Sequence, residues 1–185
     1  VVEIDATAGR REPDYALIEN LAAQCRMPLC YGGGIKTAKQ VERIVGLGVE
    51  KVALSSVLFE NPEIVGEAGA GVGNQSIVAV LDVKKSRGGY EIFTHNASKA
   101  TGQKPVEFAR CLEELGAGEI VVNSIDNDGR MQGYDLELIS QVRAATGLPL
   151  TCLGGAGSLE HMRQVIEPHG AIGVAAGCAR GRRFA

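Results

Sequence analysis

The sequence predicts an α/β fold, and three observations support this prediction. Short apolar segments alternate with amphipathic segments along all 185 residues, glycine is abundant at 25 residues, and aromatic residues make up only 4%. Nearly continuous apolar runs are typical of parallel strands that are buried on both faces. Glycine-rich turns between strand and helix fit this class better than they fit an aromatic-lined β-sandwich. We therefore expect one domain of parallel strands joined by helices.

Seven segments have the apolar, β-branched pattern of buried strands, and amphipathic segments separate them. Gly48, Gly116 and Gly147 each end a helix-like segment shortly before the next strand, as glycines commonly do at helix C-termini. The predicted strands span residues 1–5, 28–34, 51–56, 76–83, 119–126, 149–155 and 171–177.

An internal repeat indicates how these strands are arranged. A shift of about 121 residues superposes the first part of the chain on the last part without a gap. The matching positions are Ile4-Asp5 with Ile125-Asp126, Asp14 with Asp135, Pro28-Leu29 with Pro149-Leu150, Gly33-Gly34 with Gly154-Gly155, and Thr37 with Ser158. Two repeats of four strand–helix units make an eight-stranded barrel of ordinary size. The expected fold is therefore a (β/α)8 TIM barrel of duplicated half-barrels.

The repeat also predicts a strand that precedes Val1. The counterpart of the strand at residues 76–83 would lie about 39 residues before Val1, so seven strands are present and the barrel lacks its first βα unit. We therefore expect residues 1–185 to form a single, N-terminally incomplete barrel domain that about 40–50 further residues precede. By the same repeat, the absent strand should end in an aspartate that corresponds to Asp82.

Composition and charge argue against several classes of partner. The formal net charge is −3, and Lys and Arg are scattered, so we expect neither nucleic acid nor a membrane as a partner. The five cysteines form no CxxC pair, which favours reduced thiols and a cytoplasmic location. His95, His161 and His169 have no metal-ligand spacing and are expected to be solvated, so we predict no metal and no other cofactor.

Chemistry in such barrels takes place at the carboxyl ends of the strands. Two glycine turns, Gly33-Gly34 and Gly154-Gly155, lie there in the same register of the repeat. Each is followed one unit later by a strand that ends in small residues, Ser55-Ser56 and Ala176-Gly177. Backbone N–H groups at such turns, together with the following helix N-terminus, can bind an anion. We favour two phosphate sites, and hence a ligand with a phosphate at each end, over two tight turns without a ligand.

Carboxylates and one amide are also predicted at this edge of the sheet. Asp82 ends a long apolar strand, where burial would raise its pKa and suit it to general acid–base catalysis; a capping or salt-bridged aspartate is the alternative. Asp126 and Asp128 precede a glycine, and either could serve the ligand or merely shape the loop. The further candidates for binding a substrate are Asp5 and Asn123.

Several longer motifs extend these observations. They are PLCYGGGI (28–35), LGVEKVALSS (47–56), VAVLDVK (78–84), ELGAGEIVVNSID (114–126), NDGxxxGYD (127–135) and GGAGSLEH (154–161). Together they resemble the cyclase subunit of imidazole glycerol phosphate synthase over essentially the whole chain. The resemblance implies a heterodimer in which a glutaminase subunit releases ammonia from glutamine, and the barrel uses that ammonia on a bisphosphate ribosyl substrate. The products would be imidazole glycerol phosphate and an aminoimidazole carboxamide ribotide.

Position by position, the resemblance assigns roles to individual residues. Asp82 would be one of two catalytic aspartates, the other would lie on the absent first strand, and Asp128 is a further catalytic candidate in this chain. One phosphate site would comprise Gly34, Ser55 and Ser56, and the other would comprise Asp128, Gly129, Gly155, Ala176 and Gly177. Lys51 and Glu119 would be two of four charged residues that gate an ammonia channel through the barrel floor; ordinary surface charge is the alternative.

Some residues fit better a related branch that helps to amidate sugars of bacterial O-antigens. They are IDATAGRREPD (4–14), MPLCYGGG (27–34) and AVLDVKK (79–85). At Ser55 and Leu153 the histidine-pathway enzyme typically has Asn and Ser, so ammonia supply for a nucleotide-linked sugar is the first alternative. A sister isomerase shares the duplicated barrel, but the LGAGEI and IDxDGxxxGYD spacing argues against it. A non-catalytic phosphate-binding fragment is the alternative from another class.

Overall fold

Strands and helices alternate along the chain as the sequence predicts. The computed structural model describes residues 1–3, 9 and 11–177. The helices of this part are α1 (Tyr15–Gln24), α2 (Ala38–Gly46), α3 (Val57–Glu60), α4 (Ile64–Val72), α5 (Pro105–Glu114), α6 (Leu136–Ala145) and α7 (Leu159–His169), with a 3-10 turn at Asn74–Ser76. The strands are β1 (Cys30–Gly32), β2 (Lys51–Leu54), β3 (Ile77–Ser86), β4 (Gly89–Thr94), β5 (Lys99–Ala100), β6 (Glu119–Ser124), β7 (Leu150–Leu153) and β8 (Gly173–Val174). The predicted α/β class is confirmed.

The parallel strands form one sheet in the order β1-β2-β3-β6-β7-β8. Apart from a hairpin made of β4 and β5, neighbours in this order follow one another along the chain with helices between them, which is the arrangement of a (β/α) barrel. A parallel bridge between Val2 and Gly32 adds a seventh position beside β1. Residues 4–5 of the first predicted strand lie outside the described residues. The described sheet is a curled part of a barrel wall.

The hairpin is an element that the strand pattern above does not include. β3 continues to Ser86, the chain turns at Arg87-Gly88, and β4 then begins at Gly89 (φ +106) and pairs antiparallel with the end of β3. Alternate residues of β4, namely Tyr90, Ile92 and Thr94, are buried. Their period of two after a Gly-Gly turn is the hairpin signal that the sequence did contain. The long apolar strand therefore extends beyond the barrel wall and carries a hairpin that belongs to the same sheet.

The internal repeat is visible in how the helices begin. The side chain of Asp14 accepts a 3.0 Å hydrogen bond from the backbone N–H three residues later at the start of α1, and Asp135 makes the same 3.0 Å contact at the start of α6. Thr37 and Ser158 cap α2 and α7 in the same way, each at 3.3 Å. Caps of this kind typically stabilise a helix by about 1 kcal/mol. Corresponding helices of the two repeats thus begin at corresponding residues.

The strands divide their side chains between the two faces of the sheet, because successive residues point in opposite directions. Leu54, Leu81 and Ile120 are at most 1% exposed. They belong to one hydrophobic cluster with helix residues such as Ile44 of α2 and Leu112 of α5. One face of the sheet therefore packs against the helices, and strand residues of the opposite parity line the interior of the barrel.

We expect Leu81→Ala to lower the free energy of unfolding by about 2–5 kcal/mol, because Leu81 is fully buried and its loss leaves a cavity. Urea unfolding followed by circular dichroism measures the change. Met27→Ala is the control, since Met27 is 75% exposed and its replacement should change stability by less than about 0.5 kcal/mol. Equal losses in the two variants would contradict the placement of Leu81 in the core.

Candidate functional site

Three adjacent strands bring polar side chains together at the carboxyl end of the sheet. Asp82 on β3 lies directly beside Asn123 on β6 in the parallel register, and Ser55 follows β2 on the other side. Asn123 Nδ2 donates a hydrogen bond of 2.8 Å to Asp82 Oδ1. The Ser55 hydroxyl makes a longer contact of 3.5 Å with Asp82 Oδ2. Both oxygens of the carboxylate are therefore held by residues of the neighbouring strands.

The surroundings of Asp82 raise its pKa above the ordinary value of 3.8. Burial has the largest effect, because it disfavours the charged form, and the negative charge of Asp128 acts in the same direction. The hydrogen bonds from Asn123 and Ser55 stabilise the charged form and oppose the rise. A carboxyl group that keeps its proton to higher pH than usual is suited to general acid–base catalysis.

The loop after β6 holds its two aspartates in different ways. The Asp126 carboxylate accepts a 2.8 Å hydrogen bond from the backbone N–H of Lys85, and so fastens the loop to the end of β3. The backbone N–H of Asp128 donates to a carbonyl of β6 at 2.9 Å, while its carboxylate acts on Asp82. Gly129 follows in an exposed turn with φ +72. Asp126 therefore shapes the loop, and Asp128 shares the electrostatic environment of Asp82.

Both predicted glycine turns are places where backbone segments meet closely. A Cβ on Gly33 (φ +122) would lie 2.5 Å from the carbonyl oxygen of Glu3, and a Cβ on Gly155 (φ +104) would overlap the carbonyl oxygen of Gly133. The other glycine of each pair, Gly34 or Gly154, also has a positive φ. The path of the backbone therefore requires glycine at these turns even without a bound anion.

The remaining predicted phosphate positions follow the ends of β2 and β8. Ser55 and Ser56 form the turn between β2 and α3, and Ser56 borders a cavity of about 160 Å³ beside the hairpin. Ala176 and Gly177 are exposed after β8. The Tyr134 hydroxyl donates a 2.9 Å hydrogen bond to the carbonyl just before Ala176, and so holds the start of this segment. These residues lie at the same edge of the sheet as the glycine turns.

A second polar cluster lies at the opposite, amino-terminal end of the strands. Lys51 Nζ contacts Glu119 Oε2 at 2.5 Å, and the Thr151 hydroxyl donates to Glu119 Oε1 at 2.7 Å. The Glu119 side chain is only 15% exposed. Since Lys51 and Glu119 begin β2 and β6, their ion pair spans the intervening strand β3. The two predicted gate residues are therefore paired, with Glu119 largely shielded and the Lys51 side chain 42% exposed.

The histidines were expected to be solvated, and the structure shows them partly exposed. His95, His161 and His169 are all half-buried. His95 contacts Thr94 at 3.0 Å, and the Nδ1 atom of His161 is buried without a hydrogen-bond partner in the described part of the chain. Neighbouring segments partly cover these rings, which the sequence alone could not show. Among the described residues, no group of three or more His, Cys, Asp or Glu side chains is placed to hold a metal ion. Asp5 lies outside the described residues.

Fold and site together define the class of this protein. It is a (β/α)-barrel protein with Asp82 and Asp128 at the carboxyl edge of the sheet and an ion pair at the opposite edge. None of the helices in the described ranges is both long and apolar enough to cross a membrane. The histidine biosynthesis protein family matches residues 1–180 of the chain.

Relatives with assigned names narrow the class further. A Vibrio vulnificus protein, provisionally named imidazole glycerol phosphate synthase subunit hisF3, is 51% identical over 96% of this chain and 69% of its own length. A Leptospira interrogans protein with the provisional name imidazole glycerol phosphate synthase subunit HisF is 48% identical over 96% of this chain and 70% of its own length. The Sulfurisphaera tokodaii imidazole glycerol phosphate synthase subunit HisF is 38% identical over 90% of this chain and 67% of its own length. The chain therefore belongs to the imidazole glycerol phosphate synthase cyclase-subunit family.

We expect Asp82→Asn to stabilise the protein at neutral pH. The raised pKa means that the folded protein holds this proton more tightly than the unfolded chain, so stability falls as rising pH ionises Asp82. The variant avoids that loss, and its advantage should disappear as the pH falls toward 3.8, where the wild-type carboxyl becomes protonated in both states. Urea unfolding across this pH range measures the difference.

Asp14→Asn is the matched control for this measurement, because asparagine caps a helix about as well as aspartate does. Its stability should not follow the pH profile of Asp82→Asn. An advantage of Asp82→Asn that grows toward acidic pH would show that the folded-state pKa of Asp82 is lowered, and would contradict the electrostatics described above.

Proposed function

We propose that this chain forms the cyclase barrel of an imidazole glycerol phosphate synthase in the cytoplasm. In this proposal it uses ammonia from a glutaminase subunit to convert a bisphosphate ribosyl intermediate into imidazole glycerol phosphate and an aminoimidazole carboxamide ribotide. The observation that carries the proposal is the half-buried Asp82, held by Ser55 and Asn123 at the carboxyl end of the barrel. The names of the relatives support a partner, since each is called a subunit.

A carboxyl group such as Asp82 suits a reaction in which nitrogen atoms lose and gain protons. Ammonia that adds to a carbonyl carbon must lose a proton, and a nitrogen released when its bond to carbon breaks must gain one. Asp82 would accept the first proton and return it in the later step. Asp128 favours the protonated form of Asp82 and is the second catalytic candidate. From the internal repeat we also propose a further catalytic aspartate on a strand before Val1.

The two phosphates of the substrate would bind at the two glycine turns. α2 and α7 begin three to four residues after these turns, at the matched caps Thr37 and Ser158. Helix N-termini carry a partial positive charge and attract anions. One phosphate would meet Gly33, Gly34, Ser55 and Ser56, and the other would meet Gly129, Gly154, Gly155, Ala176 and Gly177. The repeat supports this assignment because it places the two sites at equivalent positions.

The ion pair of Lys51 and Glu119 supports a route for ammonia through the amino-terminal end of the barrel. The pair and Asp82 belong to the interior face of neighbouring strands, at opposite ends of the same sheet. A molecule that entered between Lys51 and Glu119 would reach Asp82 after passing through the barrel interior. We therefore propose that the glutaminase subunit docks at this end and that the ion pair controls entry.

A related enzyme that supplies ammonia for amidation of a nucleotide-linked sugar is the second candidate. Leu153 is the register partner of Asn123, so an apolar side chain stands beside the polar groups around Asp82. This apolar neighbour favours a branch whose acceptor differs from the histidine intermediate, while the ammonia route stays the same.

In the full-length protein supplied with ammonium, we expect Asp82→Asn to lower turnover of the bisphosphate substrate by about 10²–10⁴-fold, the contribution of one positioned acid–base group. Substrate affinity should change little, because Asn keeps the shape of the side chain. Asp14→Asn, the same chemical change at a remote helix cap, should leave turnover unchanged. Retention of more than half of the activity in Asp82→Asn would reject Asp82 and make Asp128 or Asp126 the candidate. Wild-type inactivity on this substrate would favour the sugar-linked or the non-catalytic alternative.

Lys51→Ala separates delivery of ammonia from the chemistry. We expect glutamine-driven turnover to fall by about tenfold, since Glu119 loses its ion-pair partner, while ammonium-driven turnover stays close to wild type. The ratio of the two rates in the complex with the glutaminase is the measurement. Lys39→Ala, at an exposed position of α2, is the control. A parallel loss of both rates would assign Lys51 to stability or to the reaction itself.

A further inference from the structure

We propose that Asn123 is a positioning residue whose side-chain amide reverses its orientation when Asp82 takes up or releases its proton. This inference rests on the proposed acid–base function of Asp82. It assigns to Asn123 a role other than contact with the substrate. The argument depends on what each end of the amide meets in the folded protein.

The nitrogen end of the amide is fixed by the carboxylate. Asn123 Nδ2 donates to Asp82 Oδ1 at 2.8 Å, whereas the Ser55 hydroxyl is 3.5 Å from the other oxygen. The shorter contact is therefore the main hydrogen bond to the carboxylate. Because the two residues are direct partners in the pairing of β3 and β6, the backbone keeps the side chains together in either protonation state.

The oxygen end of the amide is buried and lacks a hydrogen-bond donor among the described residues. A Cβ built on Gly154 would lie 2.9 Å from Asn123 Oδ1 and 2.5 Å from the carbonyl oxygen of Ser124, so two acceptor oxygens share the space beside this glycine. A buried acceptor without a hydrogen bond lowers the stability of the folded protein. This orientation is favoured when the nitrogen end meets a negative charge.

When Asp82 is protonated, its carboxyl no longer carries the negative charge that favours this orientation of the Asn123 amide. The carboxyl then carries an O–H donor that needs an acceptor, and the amide nitrogen needs one too. Rotation of the terminal amide, a torsion with two broad wells, would present Oδ1 to the Asp82 proton and turn the NH₂ group toward the carbonyl of Ser124, which also accepts from the N–H groups of Asn127 and Asp128. Gly154 has no side chain that would obstruct this rotation. The amide can thus offer a donor to the ionised carboxylate and an acceptor to the protonated carboxyl, whereas a fixed donor suits only the ionised form.

The groups around Asp82 and Asn123 include one other titratable side chain and several neutral ones. Asp128, on the loop after β6, is the titratable group whose charge acts on Asp82. β2 contributes the neutral Ser55, β4 places Phe93 opposite Asp82, and β7 places Leu153 opposite Asn123. The ion pair of Lys51 and Glu119 lies at the opposite, amino-terminal end of the strands. Asn123 is therefore the main polar group that can respond to the proton on Asp82.

The test is an NMR titration of the isotope-labelled chain without substrate. The Asn123 side-chain amide resonances should move with the same midpoint as the Asp82 carboxyl carbon. Asn123→Leu removes the donor at similar volume, and the pKa of Asp82 should rise by about one to two pH units, the size expected for one hydrogen bond to a charged group. Asn123→Thr, whose hydroxyl both donates and accepts, should keep the pKa of Asp82 closer to wild type than Asn123→Leu does.

Asn20→Leu, at an exposed position of α1, is the control and should leave the Asp82 titration unchanged. An Asn123 amide that does not respond at the Asp82 midpoint overturns the proposal, as does an Asp82 pKa in Asn123→Thr that rises by the full amount expected for the leucine variant. The threonine variant decides the question if the leucine variant does not fold. Because no turnover is measured, an inactive barrel with a coupled titration would reject the proposed reaction and retain the role of Asn123.

Discussion

The parallel register between β3 and β6 sets Asp82 beside Asn123, and most of the site depends on it. A shift of one residue would exchange the two faces of β3, so that Leu81 would enter the barrel and the carboxylate of Asp82 would face the helices. Burying that charge in an apolar layer is very unfavourable. The interior parity of β6 also includes Glu119, so the same register fixes the ion pair at the other end of the barrel.

Loops at the carboxyl edge are held to one another through hydrogen bonds to main-chain carbonyls. The Asn127 side chain donates to the carbonyl of Gly133 at 3.0 Å, and the N–H of Gly133 donates to the carbonyl of Gly155 at 2.8 Å. Tyr134, the next residue, reaches the segment after β8. The loops that follow β6, β7 and β8 are therefore linked by a few adjacent residues. Such links position side chains and backbone groups before any ligand arrives.

The sequence predicted the elements whose signal is local. Apolar runs located the parallel strands, and the repeat located the matched caps at Asp14 and Asp135. The hairpin was missed because its strands follow a polar segment, although Tyr90, Ile92 and Thr94 alternate with more exposed residues. No sequence pattern states which residues meet across strands. The hydrogen bond from Asn123 to Asp82 is such a contact across strands, so the sequence could not predict it.

The absence of information about contacts between distant segments also explains the other differences between the predictions and the structure. The sequence could not separate Asp126 from Asp128, because the decisive contact is with the backbone of Lys85 on a distant strand. It gave no reason to choose Thr151 as a partner of Glu119, since a threonine inside a strand is ordinary. Burial of His161 likewise depends on which segments pack around α7.

β3 runs for ten residues without interruption, from the barrel floor through Asp82 and into the hairpin. The hairpin is thus a continuation of the strand that carries the carboxylate, and its cross-strand pairs share one register with it. Lengthening the tip by one pair of residues would raise the hairpin by about 3.4 Å and leave every lower pair in place. A single insertion in one strand would instead turn Tyr90 and Ile92 to the outside. The wall above the barrel mouth can therefore diverge in height between relatives in discrete steps, without disturbing the chemistry at its base.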